Sequence, residues 1–134
     1  MVQTQASSLF VCAVAALFLA AGVALGAFGA HGLKEVLDAY GRDIWEKAAF
    51  YHLTHSLGAL IVGLLGLIPA ANFLSSTKIA WVLLIGVVIF SGSLYLLAVT
   101  KQRWLGAITP IGGSAFIVAW IWLAIALFHA RSSS

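Results

Sequence analysis

Four long stretches of this chain contain no Asp, Glu, Lys or Arg: Met1 to Ala30, Ala48 to Thr77, Ile79 to Thr100 and Trp104 to Ala130. Each is longer than the roughly 20 residues a helix needs to cross a bilayer. Only 8% of the 134 residues are charged and 63% are hydrophobic, which excludes an ordinary soluble domain. The expected fold is therefore all-α: a polytopic membrane protein of four transmembrane helices in an antiparallel bundle, one domain over 1–134. The spans are expected at about 8–30, 44–68, 78–100 and 109–129.

The net charge of +3 does not indicate nucleic acid, because the seven basic residues are scattered among connections and form no stripe. Their distribution speaks to topology instead. Lys34, Arg42, Lys47, Lys101 and Arg103 lie in the first and third connections, against Lys78 and Arg131 on the other side. The positive-inside rule then places the first and third loops in the cytoplasm, or in the matrix of a mitochondrial inner membrane, with both termini on the opposite side. The leader "MVQTQASS" lacks Lys and Arg, and the apolar run Leu9 to Ala30 exceeds the roughly 7–15 residues of a signal core, so the first span is expected to be retained. Cys12 is the single cysteine and admits no intrachain disulfide.

Capping signals set the expected boundaries. Asp43 followed by Glu46 has capping-box form, Pro69 stops the second run, and Thr109 with Pro110 suits the start of the fourth helix. Trp45, Trp81 and Trp104 fall near span starts, where indoles favour the interface. Between the first two spans, Leu33, Val36, Leu37 and Tyr40 recur at helical spacing, so a short amphipathic helix is expected over residues 32–41. It would shield the loop backbone or act as a lid. Gly22, Gly26 and Gly29 share a face of the first helix, Gly63 lies on the small face of the second, and Gly112 and Gly113 open the fourth; all six are expected at close helix contacts.

On the second helix, Ala48, His52, His55, Ser56, Ala59, Gly63 and Gly66 form one side and Phe50, Leu53, Leu57, Leu60, Ile61 and Leu64 the other. The small and polar side belongs inside, where an imidazole can find a partner. His31 ends the first span on the same membrane side, and the antiparallel order puts Ser91, Ser93, Tyr95, Thr109 and Ser114 there too. His31, His52, His55, Ser91, Tyr95 and Ser114 are thus the candidate polar or ligand site, in the half of the bundle nearest the first and third loops. The opposite half is expected to be mainly aliphatic.

Such a cluster serves one of three ends. Interhelical hydrogen bonds would make the chain a non-enzymatic accessory or structural membrane component. A protonatable relay would make it a conduit for protons or a small molecule. Imidazoles at i, i+3 with a third histidine could hold a metal or haem, but no Cys stands beside them and the uncharged runs carry no Asp or Glu, and no metal or cofactor is expected. No strained nucleophile elbow appears, since "SGS" at Ser91 to Ser93 lies inside a helical run, so no catalytic residue is assigned. The expected partners are the lipid bilayer and other membrane proteins or further copies of the chain.

"GAFGAHGL" at Gly26 to Leu33, "YHLTHSL" at Tyr51 to Leu57, "FSGSLYLLA" at Phe90 to Ala98 and "TPIGG" at Thr109 to Gly113 together closely resemble the transmembrane protein 256 family, whose bacterial members form the domain-of-unknown-function family DUF423. The resemblance covers essentially the whole chain from the first span onward. It implies a four-span bundle and carries no catalytic residue. In bacterial members it implies a glutamine where His52 stands and a histidine matching His55, which moves weight toward His55 and His31.

Overall fold

A computed structural model describes residues 2–69, 71 and 75–132, with side chains from 5 to 130. Met1 of the leader and Ser133 and Ser134 of the polar tail lie outside the described residues. Four helices follow one another: α1 (Val2–His31), α2 (Ala39–Leu65), α3 (Ser76–Thr100) and α4 (Leu105–Ser132). All four are long and apolar enough to cross a membrane. α2 and α3 form the centre, α1 packs against α2 and touches α3 lightly, and α4 packs against α3.

The sides of α2 largely follow its sequence pattern: Ala48, His52, His55, Ser56, Ala59 and Gly63 are buried, while Phe50, Leu57, Ile61 and Leu64 face outward. Leu53 and Leu60, expected on the lipid side, are half-buried because α1 packs over Gly22 against Leu53 and the core takes in Leu60, and Gly66 at the helix end is only half-buried. Two layers of apolar packing result. Val11, Ala15, Ala59, Val62, Ile79, Leu83, Leu84 and Val87, each at most 2% exposed, fill the middle and far half of the bundle together with Phe116 and Ala119. Leu37, Ile44, Trp45, Leu97, Ala98 and Leu105 close the end nearest the first and third connections.

That end departs from the sequence expectation. No separate helix forms over 32–41: residues 32–36 are turns, with Leu37 N–H bonded to Leu33 O at 2.9 Å, and α2 already begins at Ala39. The break comes from Asp38, whose extended backbone and side chain cap α2 by accepting from the Gly41 N–H at 2.7 Å. The restart shifts the helical phase, so Leu33 and Leu37 turn onto the bundle end while Val36 and Tyr40 remain exposed. Asp43 consequently caps nothing and pairs with Lys47 at 2.7 Å.

Three further boundaries move. α2 ends at Leu65 with Gly66 as its C-cap, before Pro69, and α3 begins at Ser76. α4 begins at Leu105, so Pro110 lies inside the helix and Thr109 is not its cap. The Thr109 hydroxyl is instead 2.8 Å from Ser93 Oγ on α3, and Ser93 Oγ in turn donates to Phe90 O at 2.9 Å. Trp45 is not an interface residue either, because it is 6% exposed and donates through Nε1 to Leu25 O at 2.9 Å.

One ion pair ties the α2 start to the α3 end: Lys101 Nζ donates to Asp38 Oδ2 at 2.9 Å. Lys101 sits in the left-handed region at φ 57° and ends α3, its N–H returning to Leu97 O. The Gly41 N–H and then Lys101 hold the Asp38 carboxyl below its ordinary pKa. A carboxyl with a depressed folded pKa contributes stability that is full above its ordinary pKa and is lost as pH falls through the lowered one. Thermal melts should therefore show an acid-side loss starting below about pH 4. Asp38→Asn, which keeps a capping side chain without the charge, should shrink that loss, and an unchanged acid limb would show that Asp38 does not contribute to it.

Candidate functional site

His52 and His55 are one turn apart on α2 but separated by about 60° of helix rotation, and this offset sends them to different neighbours. His52, 6% exposed, points toward α1 and α3. Its Nε2 lies 2.9 Å from Phe18 O of α1, and a carbonyl only accepts, so Nε2 carries the proton and donates. Nδ1 is then the acceptor for the Tyr95 hydroxyl of α3 at 3.4 Å. One imidazole thus joins three helices. The Tyr95 ring also packs against Trp45, with centroids 4.6 Å apart.

His55 turns to α4. Its ring stacks on Phe116 at 3.6 Å between centroids, with Tyr51 and Trp120 nearby at 5.6 and 6.1 Å. Its Nδ1 donates to Tyr51 O, one turn back on its own helix, at 3.0 Å. Three aromatic side chains therefore surround this imidazole, with Phe90 behind Tyr51 and Phe116, and among the described residues it makes no hydrogen bond to another helix.

The other candidates are dispersed. Ser91 is 1% exposed, with no hydrogen-bond partner for its hydroxyl. Ser114 is exposed and donates to Pro110 O at 2.9 Å, and His31 is exposed at the end of α1. Of the six residues singled out from the sequence, His52 and Tyr95 meet directly. Among the described residues no three of His, Cys, Asp and Glu converge as a metal site would require, so a three-imidazole centre is not assembled.

Two polar features were not singled out from the sequence. Ser56, fully buried and also unpartnered, lies one turn below His52 on α2 as Ser91 lies one turn from Tyr95 on α3; antiparallel pairing brings both serines to one level. The i, i+4 spacings His52/Ser56 and Ser91/Tyr95 carried that signal. The far half of the bundle, expected to be aliphatic, contains Ser8 Oγ 3.0 Å from Thr77 Oγ1 and an unpartnered buried Ser76 around a small cavity of about 170 Å³. Serine and threonine there escaped notice because they flank the apolar runs.

The glycines divide in the same way. A side chain at Gly22 would meet Leu53 at 2.8 Å, one at Gly63 would meet Cys12 Sγ at 2.8 Å, and ones at Gly29 and Gly112 would run into the Trp45 ring and the Phe90 backbone. Gly113 has only ordinary contact with Phe90, at 3.6 Å, and Gly26 has open space around it.

Comparison with known proteins places the chain among membrane proteins. The family model described as "Protein of unknown function (DUF423)" matches residues 25–113. A UPF0382 membrane protein of Staphylococcus saprophyticus is 48% identical over 106 residues, covering 79% of this chain and 86% of its own. A UPF0382 membrane protein of Staphylococcus epidermidis is 50% identical over 104 residues, covering 78% and 83%. The UPF0382 membrane protein YwdK of Bacillus subtilis is 44% identical over 104 residues, covering 78% and 84%. No solved structure matches the chain.

The His52 contact can be weighed by substitution. Tyr95→Phe should cost about 0.6 kcal/mol and at most about 1.7 kcal/mol in detergent-unfolding equilibria, the range for polar contacts inside membranes. Ser91→Ala, which removes an unpartnered hydroxyl, should leave stability unchanged or raise it. A larger loss for Ser91→Ala than for Tyr95→Phe would contradict this ordering. The chain is an integral membrane protein of the DUF423 family, whose function is unassigned.

Proposed function

We propose that the chain is a non-enzymatic accessory or structural component of its membrane, assembling with other membrane proteins or with further copies of itself. The observation that supports this reading is the fate of the polar groups. His52 and Tyr95 are engaged in joining helices, as are Ser8 with Thr77 and Ser93 with Thr109. Between the His52 level and the Ser8 level lies the packed layer of Val11, Ala59, Val62, Leu83, Leu84 and Val87. Polar side chains near both ends of a bundle whose middle is filled by apolar packing suit a scaffold better than a passage.

The rival reading, a conduit for protons or a small molecule, draws on the unpartnered hydroxyls of Ser56 and Ser91. It would have to open the aliphatic layer. The orientation proposed with this function keeps the first and third connections, rich in Lys and Arg, in the cytoplasm or matrix and the termini on the other side.

Reconstitution and native extraction test these together. Liposomes containing the purified chain should leak protons no faster than empty ones, and mild-detergent extracts at native abundance should contain it in an assembly larger than one chain. A proton flux abolished by His52→Ala, or a strictly monomeric species in such extracts, would overturn the reading. In a Cys12→Ala background, Lys34→Cys should be shielded from an impermeant thiol reagent in intact cells or mitoplasts while Lys78→Cys reacts; the reverse pattern would invert the orientation.

A further inference from the structure

Where α1 reaches the first connection, a groove of about 650 Å³ opens between its last turns and the first turns of α2. Gly26, Ala30 and Ala49 form an apolar trough, and Lys34, Arg42 and Glu46 stand at its rim. The trough is open: a methyl group built on Gly26 would find no atom within 4 Å, whereas the neighbouring Gly29 is covered by the Trp45 ring. One turn deeper on this side of α1, Val23 is 63% exposed, so the apolar surface continues toward the bilayer centre.

Two of the three rim charges are uncommitted, since among the described residues Lys34 and Glu46 enter no ion pair. Arg42 donates to Leu37 O at 3.4 Å and lies within electrostatic reach of Asp38, while Asp43 with Lys47 and Asp38 with Lys101 pair with one another. Two cations and one carboxylate above an open apolar trough, at the membrane surface, complement a molecule that combines an anion, a cation and a hydrocarbon tail. We propose that this groove seats an aminophospholipid. Its phosphate faces Lys34 and Arg42, its ammonium faces Glu46, and one acyl chain lies along Gly26 and Ala49. A purely anionic head group would leave Glu46 opposed to it, and a soluble phosphate would leave the trough unused. This site is independent of the scaffold reading above, since it needs only the α1–α2 corner.

Native mass spectrometry of the purified chain released from mixed micelles tests it, with phosphatidylethanolamine, phosphatidylglycerol and phosphatidylcholine offered in equal amounts. The wild type should retain phosphatidylethanolamine over the other two. Lys34→Gln and Arg42→Gln should each reduce its retention about fivefold, the factor expected for one basic side chain at a membrane surface. Glu46→Gln should abolish the preference for phosphatidylethanolamine over phosphatidylglycerol without lowering retention of the latter. Gly26→Leu, whose Cβ finds no atom within 4 Å and whose side chain fills the trough, should lose both lipids while circular dichroism stays that of the wild type.

Equal retention of the three lipids by the wild type would overturn the proposal, as would unchanged retention in a folded Gly26→Leu variant. Competition by acyl-free phosphorylethanolamine at the same concentration as the lipid would overturn it as well, by showing a site for a soluble molecule. Should Gly26→Leu fail to fold, the charge variants decide: a loss of phosphatidylglycerol in Lys34→Gln with no loss in Glu46→Gln upholds the site, and any other pattern rejects it.

Discussion

Helices already in hydrocarbon gain nothing from hiding apolar surface, so whatever holds them together must come from closeness of contact. That constraint explains where this bundle uses glycine. On α4, Gly112 lies so near α3 that a Cβ would collide with the Phe90 backbone. On α2, Gly63 admits Cys12 and Val11 of α1, and Gly58 lies under the Trp120 ring of α4. Dispersion between atoms at this range is small singly and large in sum. The central α2–α3 pair receives α1 on one side and α4 on the other through these small residues.

Close approach also decides what polar side chains can reach. Because α1 lies against α2 at Gly22, the Phe18 carbonyl comes within a hydrogen bond of His52. Because α4 lies against α3 at Gly112, Thr109 and Ser93 share a hydroxyl contact. A buried polar group in lipid has no water to fall back on, so each such contact fixes the rotation of a helix about its axis more than it adds to the energy. His55 is the instructive contrast: its proton goes back to its own helix, and its ring serves as an aromatic surface against Phe116.

Much of this was readable in the chain. The uncharged runs give the four helices, and the large-against-small division of α2 gives its buried side, because both depend only on composition and a 100° periodicity. The site was less legible. Projecting His52 and His55 onto one stripe hides the rotation that separates them, and nothing local says that α1 will lie on one flank and α4 on the other. Helix starts were misplaced for a related reason: Asp43–Glu46 and Thr109–Pro110 have capping chemistry, but Asp38 caps earlier and Thr109 is claimed by Ser93. Gly26 and Gly29 read identically in the sequence, and only the Trp45 ring tells the covered one from the open one.

Neighbouring glycines offer the most direct test of close approach as the source of cohesion. Gly112 and Gly113 stand side by side in α4, and replacing either by alanine improves intrinsic helix propensity by about 1 kcal/mol. A methyl at position 113 meets Phe90 at an ordinary distance, but one at position 112 meets its backbone. Equilibrium unfolding in mixed micelles should find Gly113→Ala as stable as the wild type or more so, and Gly112→Ala destabilised by about 1–3 kcal/mol, the usual cost of overpacking. Equal stability of the two variants would mean that α3 and α4 are not held by backbone proximity.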